Sequence, residues 1–168
     1  DAEDTAFSVI KFESGAIGQM TMTNGANGYG FGNETIHGTK GTIQLPGSRN
    51  GNSPIISRDN MSETITGNDL LKLVPDWELD DITSLYFDGN RRLSSYDYPF
   101  EAVDRKLIAI EMHDLADAII NDSTPEVDEI VGVKALSLAY GALESGDTGQ
   151  IVKLKDIETG KVNQYQSE

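Results

Sequence analysis

Apolar and polar residues alternate along the first third of the chain and recur at helical spacing near its end. Thr5–Phe12 (TAFSVIKF) carries apolar residues at both parities, Phe7 and Val9 on one and Ala6, Ile10 and Phe12 on the other. That predicts a strand partly covered on both faces. Ala16–Asn24 (AIGQMTMTN) alternates more cleanly, with Gln19, Thr21 and Thr23 on one face and Met20 and Met22 on the other, a second strand. Thr35–His37 and Thr42–Leu45 are β-rich runs joined by Gly38-Thr39-Lys40-Gly41. Glycines at such a joint supply positive φ cheaply, so the pattern predicts a tight hairpin. With strands on both flanks, it is expected in the middle of an antiparallel sheet.

Further on, Pro54–Ser57 reads as a short strand with proline at its start, where no ladder donor is lost. Leu70–Val74 predicts a brief helix ended by Pro75, and Trp77, Ile82, Leu85, Tyr86 and Phe87 suggest one or two more strands. Asp88-Gly89-Asn90 is a turn signal. Glu101–Asn121 places Ile108, Met112, Leu115 and Ile119 at spacings of 4, 3 and 4, an amphipathic helix. Asp128–Ser145 predicts another, with Val133, Leu136, Tyr140 and Leu143 on one face, Asp128 as its N-cap and Gly146 just past its end. Gln150–Leu154 reads as a last strand, and the tail from Lys155 as polar, with room for one edge strand.

This order predicts an α+β fold: a mostly antiparallel, open-faced β-sheet with helices packed on one face. Residues 1–168 are expected to form a single domain, with 59–100 as an irregular insert. The face left open suits a second copy of the chain, so a homo-oligomer is expected through it.

Charge removes several function classes. The 168 residues include 28 acidic and 13 basic side chains, a net charge of −15. Such a field repels phosphate backbones and anionic lipid, which argues against nucleic-acid and membrane partners. There is no cysteine, so disulfides, zinc-thiolate sites and thiol catalysis are excluded. No apolar run approaches the roughly 20 residues a membrane helix needs, and a cytoplasmic location is expected. The chain opens Asp1-Ala2-Glu3-Asp4 without methionine. A piece of a longer protein is the expected reading; processing of a complete chain is the alternative.

Candidate chemistry is sparse. His37 sits in a strand and His113 beside the apolar stripe of a helix, and two histidines without cysteine give no metal signature. Lys40 in the hairpin turn reads as a solvated charge. Glu111, Asp114 and Asp117 at i, i+3 and i+6 read as a wet helix face. Asp80-Asp81 and the acidic N-terminus lack calcium-loop spacing. Gly25, Gly28, Gly30 and Gly32 interrupt a loop that also carries Tyr29 and Phe31. Its spacing is not that of a phosphate cradle, and no helix follows it. A flexible loop that caps a ligand and a plain surface loop both fit. No catalytic constellation is complete, so no catalytic or metal-binding residue is assigned. Asn24, Tyr29, Phe31 and His37 are the candidate substrate contacts, since they lie on the loop and hairpin able to face another domain.

Three stretches together resemble the C-terminal domain of the Gfo/Idh/MocA oxidoreductases. They are DTAFSVIKFESGAIGQMTMTN, ETIHGTKGTIQLP, and EMHDLADAIINDSTPEVDEIVGVKALSLAYGALESGDTGQIVKL. The shared pattern is an F-x-x-G-A-I-G strand, an I-x-G-T-x-G-x-I hairpin, an E-x-x-D-x-x-D-A-I helix, and an A-x-x-x-x-E-S-G helix ahead of V-x-L. The match fades over Asp59–Phe100. The resemblance implies a parent enzyme whose N-terminal Rossmann domain binds NAD or NADP and carries a Glu-Lys-Pro lysine. An Asp-x-x-x-His element that supplies proton-transfer groups would also lie outside this sequence. This chain would then be a substrate-binding and subunit-pairing domain acting on sugars, inositols or related polyols, with no cofactor of its own and no activity alone. A non-catalytic binding or assembly module sharing the same sheet is the alternative.

Overall fold

The computed structural model describes residues 4–26, 32–47 and 49–165. Its contacts divide the chain into two units, 1–30 with 126–168 and 31–125, and each is described by itself. The fold is α+β, with six strands, all antiparallel, and five helices among the described residues.

In the first unit, β1 (Thr5–Lys11) and β2 (Ile17–Thr23) form a two-stranded sheet with Thr5 opposite Thr23 and Lys11 opposite Ile17. The two threonine hydroxyls at its open end lie 2.9 Å apart. Phe7 and Val9 share one face and are 71% and 78% exposed, whereas Ala6, Ser8 and Ile10 on the other are half-buried. The expectation of cover on both faces therefore fails for the Phe7 side.

Helix α4 (Glu129–Thr148) begins where predicted: the Asp128 carboxylate accepts the Val131 N–H at 2.8 Å. It does not stop at Gly146. It runs on to Thr148 and is capped by Gly149, whose φ of 64° is the left-handed value a chain-reversing cap needs. The expected strand over Gln150–Leu154 is absent. Residues 151–153 are irregular, and α5 (Leu154–Glu158) follows. A strand exists only where a neighbour takes its ladder hydrogen bonds, and no partner strand is present here among the described residues. Gly141 lets the two helices meet, because a Cβ there would press on the Leu154 side chain. Ser137, Gly141 and Glu144 make the buried side of α4, and Ile157 is buried on α5.

In the second unit, β3 (Glu34–Gly38), β4 (Gly41–Leu45), β5 (Ile55–Arg58) and β6 (Glu63–Thr66) form a meander in that order. The predicted hairpin is β3–β4, with Gly38 opposite Gly41 across Thr39-Lys40. It is not central: β3 is an edge strand, since the strands before it form the other sheet. Gly41 is required by close approach, as a Cβ there would overlap the Ser57 carbonyl on β5. The β5–β6 connection at Asp59–Met61 holds three successive positive φ values, 46°, 54° and 70°.

Helix α1 (Asn68–Leu73) follows and ends before Pro75, as expected. The strands expected around Trp77–Phe87 are instead helix α2 (Asp81–Tyr86). Asp80 caps it by accepting the Thr83 N–H at 2.8 Å, and that bond holds the carboxyl below the usual range. Ile82, Leu85 and Tyr86 stand at helical spacing once that cap is recognised. Helix α3 (Phe100–Asn121) buries Val103 and Ala118. Its predicted stripe is open: Ile108, Met112, Leu115 and Ile119 are 47–72% exposed.

The irregular stretch between α1 and α3 is held by Arg92. Its guanidinium donates to the carbonyls of Leu71 (2.8 Å), Val74 (3.2 Å), Trp77 (2.7 Å) and Pro75. These include acceptors that the end of α1 leaves without intrahelical partners. Arg92→Leu should lower stability by roughly 2 kcal/mol, the scale for losing hydrogen bonds to a charged donor. Urea unfolding followed by the fluorescence of Trp77, the single tryptophan, measures it. An unchanged midpoint would show that these carbonyls are as well served by water.

Candidate functional site

Within the 31–125 unit, the segment after β4 and the segment before α3 enclose an open groove of about 660 Å³. Arg49, Asn50 and Asn52 come from the first segment, Tyr96 and Tyr98 from the second, and Phe100 from the first position of α3. Both are turn-rich, but they are tied together at defined points. The Tyr96 N–H donates to the Gly51 carbonyl at 2.9 Å, and the Ser53 hydroxyl donates to the Ser94 carbonyl at 2.9 Å. Gly51 has to be glycine, because a Cβ would overlap the Tyr96 carbonyl. The Asn50 side-chain carbonyl accepts the Asn52 N–H at 3.0 Å, an Asx turn that fixes the loop locally.

The aromatic wall is braced from behind. Phe87 stacks 5.2 Å from Tyr96 and 6.1 Å from Tyr98, and the two tyrosines are 5.9 Å apart. Lys106, on α3, places its ammonium 4.6 Å from the Tyr98 ring centre. The same ammonium donates to the Tyr86 carbonyl at 2.6 Å, at the end of α2. Arg49 lies 5.6 Å over the Phe100 ring and pairs with Asp104 at 2.9 Å. Each cation sits over a π face, where the ring quadrupole attracts it.

Tyr98 donates its hydroxyl to the Asp88 carboxylate, and this hydrogen bond raises the phenol above its usual range. Donation requires the neutral phenol, so the shift is upward. The groove therefore presents rings, amides, a half-exposed guanidinium and the Asp97 carboxylate. This set can stack on a C–H face while hydrogen-bonding hydroxyls.

The sequence-predicted contacts lie elsewhere. Asn24 is exposed beyond β2, where its backbone N–H donates to the Asp4 carbonyl at 2.7 Å. His37 is exposed on edge strand β3, with Nδ1 3.0 Å from the Thr42 hydroxyl. Asn24 and His37 belong to different units. Tyr29 and Phe31 lie outside the described residues. His113 is half-buried, with Nδ1 3.4 Å from the Tyr86 hydroxyl and the two rings edge to face at 5.9 Å. The groove residues were missed because they fall in and beside the stretch read as an irregular insert. The signal was present: Tyr96, Tyr98 and Phe100 alternate at period two.

The family model for the C-terminal alpha/beta domain of the GFO/IDH/MocA oxidoreductase family matches residues 1–154. The chain belongs to this family, as its C-terminal domain. No curated protein and no solved structure matches it. Among the described residues, no helix is long and apolar enough to cross a membrane.

The Tyr98 phenol should titrate above the ordinary tyrosine range, and Asp88→Asn should bring it down. Because the folded-state value is raised, the stability this bond contributes is present below the unfolded value of about 10 and fades as pH rises through the folded one. Ultraviolet difference titration of both proteins reads the phenol directly. Coincident curves would remove Asp88 as the cause.

Proposed function

We propose that this chain is the substrate-binding and subunit-pairing domain of an NAD(P)-dependent oxidoreductase acting on a sugar, an inositol or a related polyol. Family membership supports an oxidoreductase domain. The groove carries the substrate reading, because the side-by-side placement of Tyr96, Tyr98 and Phe100 with Asn50, Asn52 and Arg49 suits a polyol. A pyranose or cyclitol offers an apolar C–H face and a rim of hydroxyls, and a polyol site needs convergent polar groups beside an aromatic wall. In this reading the dinucleotide and the proton-transfer groups come from the Rossmann half of the enzyme, and this domain orients the carbon to be oxidised.

The test is calorimetric binding of a panel of hexoses, inositols and alditols to the whole enzyme. Tyr96→Ala should weaken the best binder by roughly tenfold, the cost of removing a well-packed aromatic anchor. Absence of binding across the panel, or an unaffected Tyr96→Ala protein, would discard the reading.

Subunit pairing is supported by the open Phe7 and Val9 face of the β1–β2 sheet. Apolar side chains concentrated on one strand face are what an isologous contact buries. Sedimentation velocity should show self-association at tens of micromolar, weakened by Val9→Asp. A monomer at every concentration would exclude the pairing.

A further inference from the structure

Glu144 is the one charged side chain among the described residues that is wholly buried, at 0% exposure. Its Oε1 accepts the Tyr165 N–H at 2.7 Å. Its Oε2 has no hydrogen-bond partner among the described residues. A buried carboxylate oxygen without a donor is costly, and in a native structure it calls for a cause such as strain, a functional role, or a bound water, ion or ligand. Glu144 also forms part of the wall of a cleft of about 420 Å³, with Thr148 on α4, the irregular segment 150–153 and residues 161–164.

The rest of the cleft narrows the chemistry. Asp156 is already paired with Lys161 at 3.1 Å. Two cations line the cleft, Lys161, which is paired with Asp156, and Lys153, whose side chain forms no ion pair among the described residues. A ligand that satisfies an unpaired carboxylate oxygen is a donor, and one carrying positive charge makes the stronger, charge-assisted bond.

We propose that this cleft binds a small ligand bearing a protonated primary amine, with its ammonium donating to Glu144 Oε2. Residues 161–164 form the opposite wall of the cleft, and Glu144 holds this segment through the Tyr165 N–H. The site lies in the 126–168 portion and does not depend on the reading of the groove.

Calorimetry of the full chain at physiological salt, with 1,4-diaminobutane as probe and 1,4-butanediol as its neutral counterpart, tests this. Salt is needed because a net charge of −15 attracts any cation loosely. Saturable one-site binding of the diamine and none of the diol is expected. Glu144→Gln should weaken the diamine by about tenfold or more. Lys153→Glu, a surface change that does not threaten folding, should strengthen it by roughly threefold. No saturable binding, equal binding of the diol, or a diamine affinity that neither substitution moves would each overturn the assignment. If Glu144→Gln fails to fold, the Lys153→Glu result decides alone.

Discussion

The ammonium of Lys106 is the point on which the 31–125 unit turns. It caps the Tyr86 carbonyl at the end of α2, and it lies against Tyr98, which belongs to neither helix. One cation thus fixes α3, α2 and the segment before α3 to a common point. Phe87, packed beside it at 6% exposure, supplies the apolar floor. A lysine suits this position because its long stem reaches over the rings while three donors remain to be shared. The Arg92 guanidinium does the corresponding work one segment earlier, gathering carbonyls that no helix or strand pairs. Where regular hydrogen bonding ends, this unit is held by cations on carbonyls and rings.

That explains why the fold was legible in parts. The β3–β4 hairpin and its register follow from two glycines around two polar residues. The long helices follow from apolar spacing, and Asp128 marks the start of α4. Such signals are local, and the chain obeys them. The errors arise where a local signal needed a distant partner. Gln150–Leu154 has the composition of a strand but no neighbour to pair with among the described residues. Ile82, Leu85 and Tyr86 read as part of a strand until the Asp80 cap is counted, after which their spacing is helical. Gly146 is compatible with a helical backbone, so α4 passes through it and ends at Gly149.

The groove was less legible than the fold, for a physical reason. Asn24 and His37 were chosen by residue type on segments expected to face another domain. The groove, which includes neither, is made by the packing of two turn-rich segments separated by more than forty residues. Its essential glycine is defined by the approach of the Tyr96 carbonyl, which no local pattern announces. The α3 stripe carries the same lesson. Periodicity identified the helix, but Val103 and Ala118, not the large apolar residues, are the ones it buries.

The left-handed run Asp59–Met61 has a consequence for engineering. Aspartate and asparagine tolerate that backbone, whereas a methionine held at φ 70° carries a steric penalty of about 1–2 kcal/mol. Its side chain, 77% exposed, gains little burial in return. The turn is therefore a reserve of unspent stability. Glycine at position 61 would release it without touching the sheet register, the groove or the cleft, which makes this bend the natural first place to alter when a sturdier version of the domain is wanted.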